Sequence, residues 1–312
     1  MGGGFAYSLD NKRYHTFDYY LKNRFGGKVG KVALDGGFTC PNIDGRVGTG
    51  GCIYCSPRGS GDFAADPAQS ITRQIARQRE RLREKWPDAG CIAYFQAHSG
   101  TYAPVEALRD KYEEALACPD VVGLFIATRA DLLAPEVVTL LAELHRRTCL
   151  VVELGLQTIH DDTAARINRC HTYAQFLEGY RRLEHAGIAV CVHIINGLPG
   201  ESREMMLETA CVVGALRPHS VKLHMLHILK NTAIAPMFEA GLVPLPEMDA
   251  YIQLVCDQLE LLPSGIVIQR LTGDAPAGDL IAPLWITHKR RVLNGIDKEL
   301  ARRNSRQGLR LE

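Results

Sequence analysis

Six short apolar runs, at residues 29–34, 91–97, 122–127, 149–155, 189–195 and 220–226, alternate with longer segments whose apolar positions recur every three or four residues. The runs are rich in β-branched residues and nearly continuous rather than alternating, as strands covered on both faces are. Between them, residues 69–86 place Ile71, Ile75, Leu82 and Trp86 on one helical stripe. Pro104 and Pro135 stand near the starts of two further helices, where a missing N–H costs little. Helical patterns over 161–186 and 202–216 complete the series. Six β–α repeats, spaced by roughly 25–35 residues, predict a parallel α/β sheet with right-handed crossovers. Six units are too few to close an eight-stranded barrel, which leaves an open partial barrel or a doubly wound sheet. Both gather ligands at the carboxyl ends of the strands. After residue 230 the rhythm changes, to a helix over 246–262, a strand over 266–271 and a basic helix over 287–303.

Composition narrows the class. With 312 residues, 46% of them hydrophobic, the chain can bury a large core and is not of the disordered type. No run approaches 18 apolar residues, so no membrane partner is expected. The first residues lack the apolar segment of a secretory leader, and Ala6 stands where a myristoylation signal wants Ser or Thr. A cytoplasmic location is expected. The ten cysteines are too few for a disulfide scaffold, and in a reducing compartment they are free, catalytic or metal-bound.

A formal net charge of +1 conceals an asymmetry. Residues 1–31 carry six basic and two acidic side chains, and residues 285–312 carry eight and three, so the body between them is acidic. The helical segment 69–86 adds six basic residues against two acidic ones, opposite its apolar stripe. A solvated surface explains such charges, and so does a polyanionic partner such as RNA.

Three cysteines are set apart. Cys40, Cys52 and Cys55 lie in CPNIDGRVGTGGCIYC, a glycine-rich loop that follows the first strand and so sits at its carboxyl end. Three thiolates there could hold zinc with a fourth ligand, for which Cys91 and His98 are candidates, or three irons of a [4Fe–4S] cluster. The other seven read mainly as small buried apolar residues, with Cys170, in the polar stretch ARINRCHT, as the exception to watch.

This loop, with Tyr54 just before its last cysteine, resembles that of the radical S-adenosylmethionine (SAM) enzymes. Further motifs follow in order at strand ends: AYFQAHSGTYAP, IATRADLL, ELGLQTIHDDTAARINRCHTY, INGLPGE, LKNTAIA and RLTGDAP. Together they resemble the YtqA/YhcC group of that superfamily. The group is related to the elongator-type wobble-uridine enzymes and, more distantly, to oxygen-independent coproporphyrinogen oxidase. The resemblance implies a partial (β/α)6 TIM-type barrel over 29–232, preceded by an N-terminal extension over 1–28. A C-terminal α/β extension over 233–312 would cap the substrate side.

It also implies a [4Fe–4S] cluster on Cys40, Cys52 and Cys55, with the fourth iron chelating SAM. Reductive cleavage of SAM then gives a 5′-deoxyadenosyl radical, the electron coming from a donor such as a flavodoxin or ferredoxin. SAM contacts are expected from Tyr54, Gln96, Ser99, Thr101, Thr128, Glu153 and Asn196. Gln157 and Arg169 are expected to grip its carboxylate, a planar group suited to Arg. Substrate contacts are assigned to Arg129, His224, Lys230, Thr232, Arg270 and Asp274. The expected activity is modification of a tRNA wobble-uridine side chain. The competing readings are the same chemistry on a small molecule, and a non-catalytic metal-binding RNA-binding protein.

Overall fold

The computed structural model describes Phe5, Tyr7, Asp10, residues 12–276 and residues 278–311. Ala6, where the myristoylation argument falls, lies outside them. In chain order the elements begin with α1 (Phe17–Phe25), β1 (Val29–Leu34), α2 (Ile71–Lys85), β2 (Gly90–Phe95), α3 (Val105–Leu116) and β3 (Val121–Thr128). They continue with α4 (Pro135–His145), β4 (Cys149–Gln157), α5 (Asp161–Arg166), α6 (Tyr173–His185), β5 (Ala189–Asn196) and α7 (Arg203–Leu216). The remainder is β6 (Ser220–Met225), β7 (Ile228–Leu229), α8 (Ile234–Glu239), α9 (Met248–Leu261), β8 (Val267–Arg270), β9 (Leu280–Ala282) and α10 (Lys289–Arg302).

The six apolar runs are β1 to β6, adjacent in chain order and all parallel. A seventh strand, β8, pairs in parallel with β6, so the C-terminal residues extend the sheet itself. The sheet is curled into an open half-barrel. Lys31 of β1 reaches Gln269 of β8 at the opposite edge with 2.6 Å between Nζ and Oε1, and Glu153 of β4 at 2.7 Å. Among the described residues no ladder joins β1 to β8. The free edge of β8 is partly covered by the segment before α1, where the Ile268 N–H donates to the His15 carbonyl at 2.8 Å.

Curling gives the strands two unlike faces. Leu34, Phe95, Leu124, Ile126, Val152, Leu154, Val192 and Ile194 belong to the main core, together with Leu108, Leu140, Phe176 and Val213 of the covering helices. The inner face is apolar only at its amino end, where Val29, Ile92, Phe125 and Val151 meet Leu21, Phe17 and Phe25 of α1. That helix, N-capped by Thr16, therefore plugs the bottom of the barrel. Burying a residue such as Leu21 is worth roughly 1.5–3 kcal/mol, enough to hold the plug despite its weak helical pattern.

One predicted element differs. The pattern over 161–186 is not one helix: α5 ends at Arg166 and α6 begins at Tyr173. Thr172 and Gln175 form a reciprocal capping box that starts α6. Asn168 and Cys170, in the break, adopt left-handed backbone at φ 54° and 57°. The interruption turns Arg169 back toward the strand ends.

Candidate active site

A cavity of 1340 Å³ occupies the barrel interior and the carboxyl ends of the strands. The cysteine loop forms part of its wall. Within that loop the N–H groups of Ile43 and Asp44 donate to the Cys40 carbonyl, and that of Cys55 donates to the Cys52 carbonyl at 3.0 Å. The segment between α5 and α6 clamps it from outside. The Asn168 amide donates to the carbonyls of Thr49 and Gly51 at 3.0 and 2.7 Å, and the Ile53 N–H to the Ile167 carbonyl at 3.1 Å. Asn42 donates to the Cys52 sulfur at 3.7 Å. Gly48 is needed where the two segments meet, because a Cβ there would lie 2.3 Å from Asn42 Oδ1 and 2.7 Å from Cys170 Sγ.

All three loop cysteines are free thiols, partly buried, and line the cavity. Ligands of a single zinc ion crowd to within about 4 Å of one another. Among the described residues the one trio of His, Cys, Asp or Glu groups that closes within 4.8 Å is Glu153, Cys191 and His193. The three loop thiols do not form such a trio, although Cys52 and Cys55 are hydrogen-bonded to each other; three thiolates on one loop suit a multi-iron cluster, in which each ligated iron takes one thiolate. The Cys52 thiol is pushed down to about 7 by the hydrogen bond from Cys55, with Tyr54, Arg129 and Asn42 adding to the effect against burial. The same bond and burial push Cys55 up, so one of the pair is readily ionised, as metal ligation requires.

Beside the loop stand buried polar atoms without a hydrogen bond in the protein. Gln157, at φ 62° on the bulged end of β4, leaves its Oε1 unsatisfied, and Arg169 Nη2 makes no hydrogen bond, with the Asp161 carboxylate 3.6 Å away. Arg169 is otherwise fixed: it donates to the carbonyls of Leu156, Thr158 (2.6 Å) and His171 (3.0 Å) and is 1% exposed. A donor and an acceptor without hydrogen bonds at the same cavity wall can receive an external group, and an α-amino acid moiety supplies both complements. Such residues fit the cofactor. His98, also left-handed at φ 55°, and Gln157, Asn168 and Cys170 all store strain around one site, where strain is usually functional.

The structure brings most of the expected site residues to this cavity: the cysteines, Tyr54, Gln96, Ser99, Thr128, Arg129, Glu153, Gln157, Arg169, His224, Arg270 and Asp274. Four lie apart from its lining. Thr101 is buried on the Thr128 hydroxyl (2.6 Å) and the Leu132 carbonyl, and Asn196 exchanges two 2.8 Å hydrogen bonds with Gln258. Lys230 donates to the Gly278 carbonyl, and Thr232 to that of Leu229. Packing satisfies these groups locally, which a strand-end position alone does not reveal. Glu153 lies at the cavity floor, but its carboxylate accepts from Lys31, Lys222 and His193 (3.0 Å) and so faces protein cations. Arg129 holds backbone: it donates to the carbonyls of Arg169 (2.8 Å) and Cys170 (3.3 Å) while Asp131 takes its other edge.

Lys31, Tyr94, His193 and Lys222, which also line the cavity, escaped the sequence reading. Their signal was charge inside otherwise apolar strands, as at VGKVAL and SVKLHML.

A parallel half-barrel with three free cysteines on the loop after its first strand is a barrel with a candidate cluster site, and comparison places it: residues 43–210 match the model of the Radical SAM superfamily, and this chain belongs to that superfamily. Residues 218–302 match the Radical_SAM C-terminal domain. The cofactors of the family are a [4Fe–4S] cluster and SAM. Among individual proteins, the chain is 52% identical to YtqA of Bacillus subtilis (strain 168), over 97% of its own length and 94% of that protein's. It is 36% identical to YhcC of Escherichia coli (strain K12), over 93% of each. In fold it is similar to the archaeal Methanocaldococcus infernus Elp3 with an N-terminal deletion, at a TM-score of 0.67 and 17% identity, covering 90% of this chain and 64% of that one. Among the described residues no helix is long and apolar enough to cross a membrane.

Proposed function

We propose that this radical SAM enzyme modifies the side chain of the wobble uridine in tRNA. The observation that carries the reading is a basic surface beside the cavity. Arg73, Arg77 and Arg81 stand exposed at four-residue spacing along α2 and, among the described residues, take no ion-pair partner. Gln78 of the same helix lines the cavity, as do Lys289 and Leu293 of α10, a helix that also carries exposed Arg290, Arg291 and Lys298. Unpaired cations in such a row suit a phosphate backbone. The resemblance to elongator-type enzymes supports the same choice.

In this reading Cys40, Cys52 and Cys55 hold the cluster, and Gln157 and Arg169 orient SAM through its amino acid end. The bound cofactors supply a hydrogen-abstracting radical. A flavodoxin or ferredoxin is the proposed electron donor, and the cytoplasm the proposed location. The test is mass spectrometry of tRNA nucleosides from cells with and without the gene. A wobble-uridine derivative lost on deletion is the expected result; identical nucleoside profiles would reject tRNA and leave a small-molecule substrate.

A further inference from the structure

The cavity floor carries more positive than negative charge. His193 of β5, Lys222 of β6 and Arg270 of β8 are direct register partners across three adjacent strands, and all three line the cavity. His224 stands one inward-facing position further along β6, its ring centroid 5.7 Å from that of His193. Lys31 approaches from β1. Against these stands Glu153, fully buried, which serves Lys31 and Lys222 together. Asp274 is shared between Arg270 (3.1 Å) and Lys289 (3.0 Å), both outside that network. The buried Lys222 and the half-buried Lys31 share one carboxylate, which leaves positive charge in excess, a costly arrangement unless another anion completes it.

We propose that this floor is an oxyanion site: Lys222, His224 and Arg270, backed by His193 and Lys31, receive a carboxylate or phosphate group of the substrate. The assignment rests on the proposed enzymatic reading of the same cavity and adds the chemical class of what enters it. A divalent metal on Glu153, Cys191 and His193 is the alternative occupant by spacing. The two lysines beside Glu153 oppose it, since they repel a cation and already fill the carboxylate. Ionisation of the floor is consistent with an anion site. Burial first, then Lys222, pushes His193 down to about 4. Burial, with Arg270 and His193 adding, holds His224 well below its usual range. Burial also pushes Lys31 down to about 7 against the pull of Glu153. Tyr94 completes the surroundings, accepting from Lys222 at 3.3 Å, and His227 adds a further basic group facing His224. Burial thus favours the neutral imidazoles, each of which can still donate a ring N–H to an oxyanion.

The experiment is calorimetric titration of the cluster-loaded protein with malonate and, separately, inorganic phosphate, comparing Arg270→Gln, His224→Gln and the exposed-site control Arg181→Gln. Binding of at least one anion is expected, weakened about ten-fold by either floor substitution, as losing one charged hydrogen bond implies, and unchanged by the control. Preference for malonate assigns a carboxylate on the reacting group; preference for phosphate assigns a nucleotide phosphate. If a floor variant fails to fold, the imidazole NMR signals of His193 and His224 in the unsubstituted protein should shift on anion addition. No binding of either anion, or equal binding by all variants, overturns the proposal. Neither result depends on tRNA, so loss of the wobble-uridine reading would show separately in the nucleoside profiles.

Discussion

The guanidinium of Arg129, at the end of β3, donates to the Arg169 carbonyl at 2.8 Å. Two residues on that segment's amino side, Ile167 and Asn168 hold the cysteine loop. The first strand's loop is thus anchored through the fourth strand's exit, and Arg129 is the rivet. Arg129→Lys keeps the charge but loses the fork that engages two carbonyls and Asp131 at once. Cluster loading should fall, and stability by about 1–3 kcal/mol. Iron content and urea unfolding check this; unchanged values for both would refute it.

Cys52→Ala should abolish the visible absorbance of the reconstituted cluster, because Cys52 sits on the loop between Asn42 and Cys55. Cys211→Ala, at an exposed position on α7, should leave it intact. Equal iron loss in both variants would break the assignment.

Glu153→Gln removes the carboxylate that neutralises Lys31 and Lys222 in the barrel interior. Uncompensated buried cations make this costly, about 3–5 kcal/mol in unfolding free energy. Restoring neutrality by the double change Glu153→Gln with Lys222→Met should recover part of the loss. A double variant no more stable than the single one would argue against the pairing as the cause.

Stability should fall as the solution is acidified below about pH 6.5. His193 and His219 are both pushed down to about 4, chiefly by burial, whereas in the unfolded chain they titrate near 6.5. Between those values the unfolded state binds the extra protons. Each residue then contributes up to about 1.4 kcal/mol of lost stability per pH unit. Glu153 acts later: burial works against it, but Lys222, Lys31 and His193 hold it well below 4.5, so its contribution is intact above that pH and fades beneath it. Urea midpoints measured from pH 7 to 4 check the order; a flat profile down to pH 5 would refute the histidine part.

The strands were legible because a covered parallel strand is a run of apolar residues, and β1 to β6 all are. What that pattern hid was the curl. In a curled sheet one face looks inward, and Lys31 and Lys222 occupy it without disturbing the apolar average of their strands. The segment 266–271 read as a strand, yet its place beside β6 depends on tertiary pairing that no local pattern encodes. The helix over 161–186 failed for a simpler reason. Its apolar stripe runs on through the break, while Thr172 and Gln175, the capping pair that announces the restart, went unread. The cysteine loop was legible because its spacing is local; Arg129 was not read as its anchor because that contact spans forty residues.

The seam between β1 and β8 is bridged by the side chains of Lys31 and Gln269 rather than by a backbone ladder. A closed barrel has its bore fixed by strand number and stagger. Here no ladder sets the bore at the seam: Lys31 ties β1 to Gln269 and to Glu153, and α1 packs against the amino ends of the strands. The width of the chamber is therefore held by side-chain contacts, which substitution can change without altering any strand pairing.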